Sequence, residues 1–240
     1  MLSGDPSKMS TTRRMVPRPN TAKSQIRRPV RLGDEVYGLL YAQLMGRTIK
    51  PGSRISIDNL ARELGVSQTP IREALSRLEA EGLVVKTHLI GYRASEQLDR
   101  ERLDQLYTLR LLLEPYAARH AAMRMTKAQR LSLDELAAQM DAARADYDAF
   151  ARLDEAFHDL IAQAGGNELI QETLARLHIH VHLFRLFRPA QATSGAMEEH
   201  AEILTGLHAG DGDAAETAMH RHIERSHKRF RSGFEFDHAP

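Results

Sequence analysis

The sequence predicts a mostly α-helical protein: an N-terminal winged helix-turn-helix followed by an all-helical bundle of about six helices. Three observations carry this. Strand-like patterns are confined to short runs before residue 95, and every later segment up to Arg231 has helical periodicity. A glycine turn, Gly65-Val66, joins two short helical segments just ahead of a hairpin pattern. Charge is also divided. Residues 1–94 hold 16 Lys and Arg against 8 Asp and Glu, a balance of +8, whereas the remainder holds 17 against 24, a balance of −7. A basic end on an otherwise acidic chain points to nucleic acid as a partner, or to a solvated basic tail.

Each element follows from local chemistry. Residues 1–31 mix Ser, Thr, Pro, Arg and Lys with few large apolar residues and read as a disordered basic tail. The winged head is expected over residues 32–95. Asp34 is placed to cap a first helix running to about Gly46, with Val36, Leu39, Leu40 and Leu44 on one face. Pro51-Gly52 makes a turn, and Arg54 to Ile57 a short strand. Asp58 to Leu64 reads as a second helix, ended by Gly65 where a left-handed residue is favoured. Ser67 or Thr69 caps a third helix, with Pro70 in its first turn, where the missing N–H costs nothing. That helix is expected from Ile71 to Glu81, burying Ile71, Ala74, Leu75 and Leu78 and stopping at Gly82. Leu83-Val84-Val85 and Tyr92-Arg93-Ala94 flank a loop containing Gly91 and suit a small hairpin.

Residues 96–232 form the second domain, with helices expected over 97–125, 127–144, 146–164, 168–188, 193–209 and 211–231. Their breaks fall at Thr126, Gly165-Gly166-Asn167, Pro189 and Gly210-Asp211-Gly212-Asp213. Residues 233–240 are left as a tail. The composition excludes whole classes of function. No apolar run approaches the ~20 residues needed to span a bilayer, and no apolar leader opens the chain. There is no cysteine, so disulfides, thiolate metal sites and a cysteine nucleophile are out, and any metal must take nitrogen and oxygen ligands. A cytoplasmic protein without membrane association is expected.

In a helix-turn-helix the second helix enters the major groove N-terminus first. Its first turn here offers Ser67, Gln68, Thr69 and Arg72 as polar donors, while Ile71, Ala74, Leu75 and Leu78 face inward. Gln pairs bidentately with adenine and Arg with guanine. Ser67, Thr69 and the helix amides suit phosphates. The alternative is an ordinary capped amphipathic helix.

Farther on, Asp154 and His158 stand at i and i+4 and share a helix face beside an apolar stripe of Phe150, Leu153, Phe157, Leu160 and Ile161. They make a two-ligand clamp that His200 and His222 could close, giving an N/O site for Zn, Ni or Mn. His220 is a rival to His222 on another face of the same segment. The run His178-Ile179-His180-Val181-His182 reads as polar residues on a packed or dimer-facing helix. Arg110, in an apolar stretch, needs a partner: Glu114 at i+4, or a ligand carboxylate.

The block Asp58-Asn59-Leu60-Ala61-Arg62-Glu63-Leu64-Gly65-Val66-Ser67-Gln68-Thr69-Pro70-Ile71-Arg72-Glu73-Ala74-Leu75, continued to Val84, resembles the winged helix of GntR-type bacterial transcription regulators. The helical half resembles the FadR-type ligand-binding domain, the FCD subgroup. The resemblance implies DNA contacts at Arg72, Thr69, Ser67 and Gln68, with Arg62 and Asn59 beside them and His88 and Gly91 at the wing tip. Many relatives carry Arg where this chain has Gln68, and the wing lacks their Pro and Arg-Gly. The resemblance also implies a metal held by Asp154, His158, His200 and His222, a small carboxylate effector, and a pocket role for Arg110, with Asn167 and Arg188 as further candidates. The function so implied is a ligand-responsive regulator, a repressor released by its ligand, bound as a homodimer to a pseudo-palindromic double-stranded operator. The alternative is a metal-dependent hydrolase with an accessory DNA-binding head. Against it, no general base follows the clamp, and neither a phosphate loop nor a nucleophile elbow is present, so a non-enzyme is expected.

Overall fold

The head begins with α1 (Leu32–Met45), followed by β1 (Arg54–Ile55), α2 (Ile57–Leu64), α3 (Gln68–Ala80), β2 (Val84–Thr87) and β3 (Gly91–Ala94). The strands make one antiparallel sheet in the order β1-β3-β2, with Val84 opposite Ala94 and Thr87 opposite Gly91. Three helices closed by a small sheet form a winged helix-turn-helix. The computed structural model describes residues 32–177, 179, 182, 183 and 192–236. The basic tail over 1–31, His178, His180, Arg188 and the final residues from 237 lie outside the described residues.

The turn between α2 and α3 is built as glycine allows. Gly65 adopts φ 65°, and the Val66 N–H donates to the carbonyl of Ala61 at 3.1 Å. Ser56, not expected as a cap, accepts from the Asn59 N–H at the start of α2. Asp34 does not cap α1, because that helix already starts at Leu32. It lies in the first turn and accepts from Arg77 of α3 at 2.7 Å. α3 begins at Gln68, earlier than expected, with Ser67 at the N-cap position but without a side-chain cap bond. Ile71, Ala74, Leu75 and Leu78 are fully buried against Leu40 and Leu44 of α1.

The rest of the described chain is helical: α4 (Arg100–Arg124), α5 (Lys127–Ala142), α6 (Tyr147–Gly165), α7 (Glu168–Arg176), α8 (Ala192–Ala209) and α9 (Gly212–Phe236). Thr126 and Gln129 form a reciprocal capping box at the head of α5. Of the helix expected over 168–188, α7 reaches its C-cap at Leu177; residues 179, 182 and 183 are helical again, and the others up to 188 lie outside the described residues. α9 runs past Arg231 to Phe236, into the expected tail. α9 lies along α4 and α8, and α6 lies against α4. Small residues permit the close crossing: a Cβ on Gly206 would stand 2.6 Å from the Ala215 nitrogen. Tyr107, Phe150, Phe157, Ile203 and Ile223 fill the interior. The head meets this bundle where the Arg152 guanidinium of α6 lies over the Tyr41 ring of α1, 5.1 Å from its centroid. No helix among the described residues is long and apolar enough to cross a membrane.

Candidate functional site

Three helices converge on one buried cluster. α6 supplies Asp154 and His158, α8 supplies His200, and α9 supplies His222. The three imidazoles each offer a ligand nitrogen, and these atoms lie within 4.8 Å of one another. Asp154 Oδ1 stands 3.3 Å from His200 Nε2. His200 is wholly buried and stacks on Phe157 at 4.5 Å between centroids. His220, the rival to His222, is half exposed on the outside of α9, beside Glu224. About half a helix turn therefore decides between them: residue 222 faces inward and residue 220 outward.

Carboxylates behind the imidazoles set their tautomers. His158 Nδ1 donates to Glu114 Oε2 at 2.8 Å. His222 Nδ1 donates to Glu199 Oε2 at 2.9 Å. A carboxylate only accepts, so each ring carries its proton on Nδ1 and its lone pair on Nε2. Glu114 is itself gripped by Arg110, from Nε at 2.6 Å and Nη2 at 3.3 Å. Burial would raise the Glu114 carboxyl, but the charge of Arg110, and after it the interaction with His158, outweigh burial and hold it well below the usual carboxylate range. Glu199 accepts from Arg229 Nη1 at 2.6 Å and Nη2 at 2.8 Å. Burial, followed by the neighbouring His200 and His158, pushes His222 well below its ordinary value, which keeps it in the neutral form a metal requires. Tyr107, beside Arg110, shares a hydrogen bond with Ser226 at 2.7 Å, and burial pushes its hydroxyl up to about 12.

The donor set fits a divalent ion. Three nitrogens and one carboxylate suit Zn, Ni or Mn, and ligand atoms around such an ion lie about 3–4 Å apart. Each second nitrogen of His158 and His222 has the carboxylate support that metal-bound histidine needs. Beside His158 opens a cavity of about 370 Å³ lined also by Glu114, Arg152, Glu155, Asp159 and Leu174.

The reading face of the head is exposed at Ser67, Gln68, Thr69 and Arg72 of the α3 start and at Asn59 and Arg62 of α2. Arg62 Nη2 donates to Asn59 Oδ1 at 2.6 Å. His88 and Gly91 flank the exposed wing tip, where Leu89 takes φ 62°.

Two family models match the chain in succession. One, "Bacterial regulatory proteins, gntR family", covers residues 32–93. The other, "FCD domain", covers residues 105–225, half of the chain. The protein belongs to the GntR family and its FCD subgroup. This GntR regulator is 27% identical to the HTH-type transcriptional repressor RspR of Escherichia coli, over 85% of this chain and 91% of RspR. It is 30% identical to the HTH-type transcriptional regulator LutR of Bacillus subtilis, over 73% of this chain and 90% of LutR. The solved structure of E. coli McbR/YncC shares the fold, with a TM-score of 0.62, 24% identity, and coverage of 86% of this chain and all of that one.

Within this GntR/FCD fold the sequence-derived candidates do not all fall together. Asp154, His158, His200 and His222 meet. Arg110 is 1% exposed and grips Glu114; it lines a small pocket of about 20 Å³ with Asp154 and His222 rather than the cavity beside His158. Asn167 caps α7, accepting from the Ile170 N–H, and does not line that cavity. Arg152, Glu114 and Glu199 were not singled out as site residues. Glu114 was visible only as an i+4 partner of Arg110, and nothing in the one-dimensional pattern ties it to His158.

Proposed function

We propose that this GntR/FCD regulator is a metal-dependent acid sensor that represses transcription. In this reading residues 32–95 read a pseudo-palindromic operator in cytoplasmic double-stranded DNA, and residues 96–232 hold the effector and the dimer contact. The buried cluster of three histidines with Asp154 carries the proposal. Asp154, His158, His200 and His222 would hold Zn, Ni or Mn, and the bound ion would supply a Lewis-acidic position for an effector carboxylate. The cavity beside His158 is lined by Glu114, Glu155 and Asp159, which oppose an anion. A cation at the histidines offsets that repulsion, and Arg152 adds a second positive group. That a relative, RspR, is named a repressor supports the sign of the response.

Two features support coupling and assembly. Arg152 lines the cavity and also covers Tyr41 of α1. α1 in turn holds the reading helix: Arg77 of α3 lies 3.9 Å from the Tyr37 ring and pairs with Asp34. An acid that draws Arg152 into the cavity loosens its hold on Tyr41 and so biases the head. For assembly, Leu109, Leu112, Tyr116 and Met123 form an exposed stripe along one face of α4. A second copy of the chain burying that stripe would place two α3 helices on one DNA face.

The test is an Arg152→Ala variant loaded with metal. Small carboxylic acids should still bind it calorimetrically, weakened about tenfold, while their effect on operator affinity falls from the 5–150-fold range typical of coupled sites to less than twofold. If acids bind neither protein and amines do, the acidic lining sets the ligand class and the acid reading is wrong.

A further inference from the structure

Three exposed side chains on the reading face are joined end to end. Asp58, in the first turn of α2, accepts through Oδ1 from Gln68 Nε2 at 2.6 Å. At the other end of the same amide, Gln68 Oε1 accepts from Arg72 Nη2 at 3.1 Å. A glutamine that reads adenine needs both ends, one to donate to N7 and one to accept from the N6 amine. Here both ends are already engaged within the protein. The bond to a carboxylate is the charge-assisted kind, about twice as strong as the neutral bond a base would offer in exchange. Arg72 is in the opposite position. Its guanidinium has five N–H donors, and Gln68 takes one of them. An edge remains to meet O6 and N7 of guanine.

We propose that Asp58 is a positioning residue for base reading. Gln68 is a strut rather than a reader, and Arg72, steadied by it, selects a guanine in each half-site. The charge of Asp58 points the same way. A carboxylate facing phosphates opposes binding to every sequence alike. A group that weakens all binding equally, yet stiffens the reader of one base, raises the ratio of right to wrong sites. The adenine contact expected of Gln68 from its residue type is therefore replaced by a guanine contact one turn along the helix.

The inference rests on α3 being the groove-entering helix. The experiment is selection of duplexes from a randomised pool by the full chain, followed by affinities for the selected duplex, its single-base variants and random duplex. Wild type, Arg72→Ala, Gln68→Ala, Asp58→Ala and Asp58→Asn are compared, with melting temperatures alongside. Wild type should select a guanine that Arg72→Ala no longer prefers. Asp58→Ala and Gln68→Ala should keep that guanine with the preference cut about fivefold, the effect of freeing one ordered side chain. Asp58→Ala should also bind random duplex more tightly. Asp58→Asn, whose amide oxygen still accepts from Gln68, should retain the preference while sharing the tighter random binding. An adenine lost with Gln68→Ala overturns the inference. So does an Asp58→Ala protein with altered stability but unchanged base preference. If Arg72→Ala leaves every preference intact, the assignment of α3 as the reader fails instead.

Discussion

Replacing Glu114 by alanine should destabilise the protein by about 3–5 kcal/mol, the range for stripping one partner from a buried ion pair. Arg110 is 1% exposed and has Glu114 Oε1 at 2.6 Å from its Nε. Without that carboxylate a guanidinium charge is left in the bundle interior, and the ring of His158 loses the acceptor of its Nδ1 proton. The first consequence is read as a fall in the urea midpoint at unchanged slope. The second is read as a 10–100-fold loss of metal affinity, the usual effect of deleting the carboxylate behind a metal-bound histidine. Replacing both partners, with Arg110→Met and Glu114→Leu, should cost less stability than Glu114→Ala alone, because no charge is left behind. The pair also sets an acid limit. The folded-state value of Glu114 lies below its unfolded value near 4.3, so its contribution is complete above about pH 5 and is lost as pH falls through the acid range. An unchanged urea midpoint in Glu114→Ala would contradict the buried pairing.

His200→Ala should abolish metal-linked stabilisation. In wild type, Zn, Ni or Mn at a hundred times its dissociation constant should stabilise the fold by about 2.7 kcal/mol and raise the melting temperature accordingly. His200 sits at the centre of the cluster, its Nε2 3.3 Å from Asp154 and its ring 4.8 Å from that of His222. Removing it leaves two imidazoles and a carboxylate with a gap where the third nitrogen stood. The variant's melting temperature should not respond to any of the three ions. His220→Ala is the matched control: half exposed on the far side of α9, it should respond as wild type does. A His220→Ala protein that loses the metal response would show that the wrong pair had been assigned.

What the sequence made legible is what local chemistry controls. The Gly65 turn, the helix start at Thr126, the stop at Gly82 and the inward face of α3 all depend on residues within one or two turns of each other. The Asp154/His158 clamp is of the same kind, since i,i+4 spacing on a helix fixes a shared face. The helical angle between His220 and His222 shows that the two cannot share a face, but which of them faces inward is set by how α9 packs. What stayed hidden depends on distant partners. Asp34 has the chemistry of a cap, but Arg77, far along the chain, captures it. Asn167 has the chemistry of a pocket ligand but serves as the cap of α7. Glu199 is an acidic residue among many until α8 and α9 bring it between His222 and Arg229. Arg152 acquires its place only because the fold brings its guanidinium over the Tyr41 ring of α1, far along the chain.

The central claim is that one molecule couples DNA reading to a metal-held acid. The most direct measurement is the affinity of the full chain for its selected operator in four states: without additions, with metal, with a panel of small carboxylic acids, and with both. The account predicts that an acid weakens operator binding by 5–150-fold in the presence of metal and has no effect without it. Operator affinity that is the same in all four states for every acid would contradict it.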